Sequence, residues 1–88
     1  MEEKKPKKET IYNLVLKENN NLIDIMSFRK RKDAHTYMAI ASFFSKNSRE
    51  QNGITDCELT IQSNNNIVLR WNGGINTLTF DVIRTTLR

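Results

Sequence analysis

Residues 57–82 read CELTIQSNNNIVLRWNGGINTLTFDV, and their alternation points to a sheet. From Cys57 to Ile61, Cys57, Leu59 and Ile61 alternate with Glu58, Thr60 and Gln62. That period of two turns one face of a strand towards a core and the other towards water. Ile67 to Asn72 repeats the pattern with Ile67, Leu69 and Trp71, and Asn76 to Val82 sends Leu78, Phe80 and Val82 to one side and Thr77, Thr79 and Asp81 to the other. The segments are separated by Asn64-Asn65-Asn66 and Asn72-Gly73-Gly74, residues that tolerate the left-handed backbone of tight turns. A three-stranded meander is expected.

Working towards the N-terminus, Ala34, Tyr37, Met38, Ala41 and Phe44 recur at helical spacing and are expected to face the core. Asp33 is placed to cap the first turn, and Gly53 supplies a left-handed stop after a helix running to about Glu50. Further upstream, Thr10 to Lys17 and Leu22 to Arg29 flank the bend Asn19-Asn20-Asn21, as two strands of a hairpin would. The element order is β-β-α-β-β-β: an α+β fold with one helix on one face of a small antiparallel or mixed sheet. In element order alone the opening ββα resembles the ubiquitin-like β-grasp, which offers an alternative strand order. The segment Ile83 to Arg88 is compatible with a helix that folds back over the hairpin.

The sequence has 88 residues, enough for one core. Hydrophobic residues make up 38% and charged residues 27%, which places the chain in the globular range rather than the disordered one. Residues 1–9 contain no aromatic or branched aliphatic side chain, so they read as a disordered charged tail, and 10–88 as a single α+β domain. Cys57 is the only cysteine, which excludes a disulfide-stapled secreted scaffold. No secretory signal opens the chain, and the apolar-leaning run Ala34 to Ser45 is too short to span a bilayer, so an intracellular, cytoplasmic protein is expected. The basic run Lys4-Lys5-Pro-Lys7-Lys8 leaves the nucleus open, although flanking glutamates cancel most of its field and a solubilising role suits it better.

Fourteen basic residues against ten acidic give a net charge of +4. Residues 1–9 hold four lysines and three glutamates, so ten basic and seven acidic residues, +3, belong to the body. The most concentrated feature is Arg29-Lys30-Arg31-Lys32, four cations where the second strand hands over to the helix. Cations oppose the positive end of a helix dipole, so the fold gains nothing from them there, whereas free amides and basic side chains together suit phosphate groups. Lys46 and Arg49, further along the helix, could extend that surface. Strands lack the exposed aromatic platform of a base-stacking protein, which leaves contact with the backbone of nucleic acid or another polyanion.

A second interaction feature comes from parity. In the hairpin Tyr12, Leu14 and Leu16 lie opposite Ile11 and Val15, while Leu22, Met26 and Phe28 lie opposite Ile23 and Ile25. One helix covers one face, so Ile11, Val15, Ile23 and Ile25 are expected to form an exposed patch for a protein partner or a second copy. Phe43 points about 140° away from the Ala34–Phe44 stripe and is a further candidate anchor.

Catalytic machinery is not expected. His35 and Cys57 are the only residues of their kinds, Cys57 falls on an inward parity, and no phosphate-binding glycine loop or metal-ligand spacing is present, so no metal and no cofactor are assigned. Asp56 and Glu58 read as solvating residues. The sequence therefore points to a small non-enzymatic binding module for nucleic acid or another polyanion, an accessory or regulator in role; the alternative is a protein–protein interaction domain, an adaptor or inhibitor of a larger protein.

Overall fold

A computed structural model describes residues 9–87. Strand β1 (Glu9–Glu18) and strand β2 (Asn21–Phe28) form a hairpin, helix α1 (Arg31–Gln51) follows, and strands β3 (Glu58–Ile61), β4 (Ile67–Trp71) and β5 (Asn76–Leu87) form the meander. The expected charged tail lies outside the described residues except for Glu9, which opens β1. One five-stranded sheet results, in the order β2-β1-β5-β4-β3, and every pairing is antiparallel. Element order, which was shared with a β-grasp, leaves this arrangement undetermined; the long β1–β5 ladder, from Glu9 opposite Leu87 to Glu18 opposite Leu78, sets it.

The hairpin turns on Asn19 and Asn20, both left-handed at φ 50° and 69°. Two consecutive left-handed residues match the twist of the flanking strands, and asparagine takes that conformation at low cost. Asn19 also ties the turn to β5: its side-chain oxygen accepts the Thr77 N–H at 2.9 Å, and its own N–H donates to the Thr77 carbonyl at 2.9 Å. Between Leu16 and Lys17 the β1–β2 register shifts by one residue, with Ile23 as the extra residue of β2. This bulge reverses the parity of what lies beyond it. Leu22, expected beside Met26 and Phe28 on the covered face, instead pairs with Lys17 and is exposed.

With β2 and β3 at opposite edges and running in the same direction, the helix serves as the crossover and lies across one sheet face. Its buried contacts are Ala34, Met38 and Ser42. Ser42 is fully buried because its hydroxyl donates back to the Ala39 carbonyl at 2.8 Å. Small residues let the helix sit close to the sheet, and the core beneath it comprises Leu14, Met38, Ile67, Leu69, Trp71, Leu78 and Phe80. The expected alternation is present in β5, where Leu78 and Phe80 are buried and Thr77 and Thr79 are not, whereas in β4 Val68, opposite Thr79 on the other sheet face, is buried along with Ile67, Leu69 and Trp71.

Four expectations need correction. Phe44 and Tyr37, placed in the core stripe, are exposed, because the helix turns its Ala34–Met38–Ser42 line inwards and the bulkier line outwards. Asp33 does not cap the helix: Lys30 is the N-cap, with no side-chain hydrogen bond, so Arg31 and Lys32 already belong to the first turn. Ile83 to Leu87 continue β5 rather than folding back, because β1 offers them partners out to Glu9. Ile61, the last residue of the edge strand β3, is 67% exposed, with a neighbouring strand on one side alone.

Asp56 is more than a solvating residue. Its carboxylate accepts the Gly73 N–H at 2.7 Å, bracing the β4–β5 turn. Hydrogen bonds from the Gly73 and Asn72 amides hold its carboxyl below the usual carboxylate range.

Candidate functional site

Strand β4 begins opposite Phe80, so β5 from Asp81 onward has no neighbour on that side except the β3–β4 turn. There the Asn66 side chain accepts the Val82 N–H at 3.2 Å. The helix starts above the same region. A cleft of about 240 Å³ opens between them, lined by Tyr12, Arg31, His35, Asn64, Val82 and Arg84.

Each lining residue arrives by a local rule. Val82 and Arg84 continue the inward parity of Leu78 and Phe80 along β5, and Tyr12 continues that of Leu14 along β1; Tyr12 and Arg84 are direct cross-strand partners. Arg31 and His35 are one turn apart on α1 and meet side by side, with the Arg31 Nε–H donating to His35 Nε2 at 3.5 Å. Phe28, the β2 partner of Tyr12, packs against Tyr37 with ring centroids 5.6 Å apart.

The electrostatics are one-sided. The lining carries two guanidinium groups, an imidazole, a phenol and an amide, and no carboxylate. Arg29, Lys30 and Lys32 stand exposed beside it. Among the described residues, the two ion pairs are Lys46 with Glu50 at 3.4 Å and Arg49 with Glu18 at 3.9 Å; none involves Arg29, Lys30, Arg31, Lys32 or Arg84. The helix start adds the amides of its first turn, which no side chain caps. Such a surface offers hydrogen-bond donors and positive charge to an anion.

The basic residues named from sequence divide into two groups. Arg31 lines the cleft, and Arg29, Lys30 and Lys32 are its exposed neighbours in the chain without lining it. Lys46 and Arg49 do not join them; Arg49 is about 27 Å from Arg31 along the axis at ~1.5 Å per residue. Arg49 is also engaged inside the molecule: its guanidinium lies 4.1 Å from the Trp71 ring centroid and donates to the Ser45 carbonyl at 3.1 Å. Arg84, Tyr12 and Asn64 were not anticipated. The available signal was Arg84, an arginine on the inward parity of a strand that continues past Val82.

The apolar patch is placed on the sheet face opposite the helix. Ile25 and Ile23 are about half exposed, joined by Leu22 and Ile83, and Ile11 is partly buried. Val15 is not part of an exposed surface: it is only 8% exposed, flanked in register by Ile25 and Asp81. Phe43 is exposed on the outer face of α1. Cys57 is partly buried against the core. Among the described residues no group of three or more His, Cys, Asp or Glu side chains could hold a metal ion, and no helix is long and apolar enough to cross a membrane. The chain matches no known family model, no curated protein and no solved structure, so its geometry is the ground for any functional reading.

Proposed function

We propose that this protein is a small non-enzymatic module that binds the phosphate backbone of a nucleic acid, or a comparable polyanion, at the corner where β2 hands over to α1. One observation carries the reading. Arg31 and Arg84, from distant parts of the chain, converge with His35 on a cleft without carboxylates, and Arg29, Lys30 and Lys32 lie beside it without ion-pair partners among the described residues. Unpaired cations grouped next to uncapped helix amides add nothing to folding and favour an anion. The opposite sheet face presents no aromatic ring among the described residues, which favours contact with backbone phosphates over base stacking.

The test is anisotropy of labelled DNA and RNA oligonucleotides, single-stranded and duplex, across a salt series. The expected result is an affinity that falls steeply with salt and is lost when Arg29, Lys30, Arg31 and Lys32 are all replaced by serine. Binding with a flat salt response, or unchanged by that replacement, removes the reading.

A second reading is a protein-interaction domain that uses the open sheet face, because Leu22, Ile23, Ile25 and Ile83 place half-exposed aliphatic side chains there. It predicts that Ile25→Asp blocks capture of a protein partner and leaves oligonucleotide binding intact.

A further inference from the structure

Helix α1 is apolar on two opposite sides. Ala34, Met38 and Ser42 face the sheet, and the outward line carries Ile40, Phe43 and Phe44, with Tyr37 at its edge over Phe28, exposed by 64%, 58%, 74% and 43%. These positions recur at the three- and four-residue spacing that makes one continuous helical stripe. Burying a phenylalanine is among the larger gains open to a side chain, so two adjacent phenylalanines left in water are unexplained by the monomer. The remaining outward positions between Thr36 and Asn47 carry no charge.

We infer that this stripe is the contact surface of a symmetric dimer, in which two copies of α1 pack antiparallel. Two observations point to a second copy. The first is charge complementarity. Lys32 and Glu50 are equidistant from Ala41, ~13 Å along the axis at ~1.5 Å rise, and a whole number of turns apart at ~3.6 residues per turn, so they share one flank of the stripe. A two-fold axis at Ala41 brings Lys32 of each copy against Glu50 of the other. The same axis sets Phe43 and Phe44 opposite Ile40 and Tyr37 of the other copy, large against medium on both sides. Glu50 already pairs with Lys46 at 3.4 Å within the helix, but an exposed pair of that kind contributes little and yields readily.

The second is area. With roughly 200 Å² for each large side chain when fully exposed, the four exposed fractions amount to about 480 Å² per copy. Both copies together hide about 1,000 Å², the lower bound for a specific interface. The expected dimer is thus reversible, forming in the micromolar range and above.

Sedimentation of the full chain, without nucleic acid, tests this from about 1 µM to about 1 mM. The weight-average mass should climb from that of one chain towards two. Phe44→Asp should weaken association at least ~10-fold, with a thermal midpoint within about 2 °C of wild type measured where both are monomeric. Lys32→Glu and Glu50→Lys should each weaken it, and the double exchange should restore it. A chain that stays monomeric at about 1 mM overturns the dimer, including one that instead adsorbs to lipid vesicles or is captured only by a different protein. Association that survives Phe44→Asp overturns the stripe as its surface. Failure of the double exchange to restore association overturns the antiparallel arrangement.

Discussion

Replacing Arg84 by glutamine tests the cleft more sharply than removing the whole basic run. Arg84 is exposed and opposite Tyr12 in the β1–β5 ladder, with no ion-pair partner among the described residues. Its loss should therefore change folding stability by no more than about 0.5 kcal/mol. A guanidinium about 4 Å from a phosphate charge is worth about 1 kcal/mol at the dielectric of water, and more where the cleft walls exclude solvent. Taking about 1–1.5 kcal/mol, affinity for an oligonucleotide should fall about 5- to 12-fold. One phosphate contact fewer should also flatten the slope of log affinity against log salt by about one unit. The assay is anisotropy of a labelled duplex between about 50 and about 200 mM salt, where such slopes are readily read. Lys17→Gln, a charge change on the opposite sheet face, serves as control and should leave affinity within about twofold. Because Arg31 and Arg84 line one cleft, the double replacement should cost less than the product of the single effects. If Arg84→Gln matches wild type in both affinity and slope while the serine replacement of Arg29 to Lys32 abolishes binding, the cleft has no part in recognition and the basic run acts alone.

Other consequences concern the fold. The Asp56 carboxyl titrates below its ordinary value because it accepts amide hydrogen bonds at the β4–β5 turn, so it adds stability that is complete above its unfolded pKa and is lost as pH falls through the folded one. Urea unfolding should show Asp56→Asn less stable than wild type at about pH 7, with the gap closing below about pH 4; an equal gap at both pH values would show that the charge is irrelevant to the turn. Phe80 is fully buried at the centre of the core, so Phe80→Leu should lower stability in chemical denaturation by about 1–3 kcal/mol, whereas Phe44→Ser, at an exposed position, should leave it nearly unchanged in dilute solution. Arg49→Met keeps most of the stem that covers Trp71 but removes the cation over the ring and the pair with Glu18. It should cost about 1 kcal/mol and leave oligonucleotide affinity as in wild type, since Arg49 lies far from the cleft.

The features legible in the chain alone were local. Alternation in β4 and β5 placed Ile67, Leu69, Trp71, Leu78 and Phe80 on the buried face, because pleating commits every second side chain to one side. The asparagine and glycine bends marked the turns, because few other residues accept left-handed backbone. The helix and its stop at Gly53 were legible for similar reasons. Which side of an apolar helix faces inwards was a matter of packing: Ala34 and Ser42 let the helix approach the sheet and Met38 fills the core between them, so Tyr37 and Phe44 were left outside. The bulge at Leu16/Lys17 turned Leu22 outwards, a one-residue slip that periodicity within β2 cannot reveal, since it depends on the partner strand. The cleft likewise required the β1–β5 ladder, which carries Arg84 next to Tyr12 and beneath Arg31. Pairing between distant strands is set by global packing and not by neighbours in sequence, so a run of four cations was visible in the chain while the pocket beside it was not.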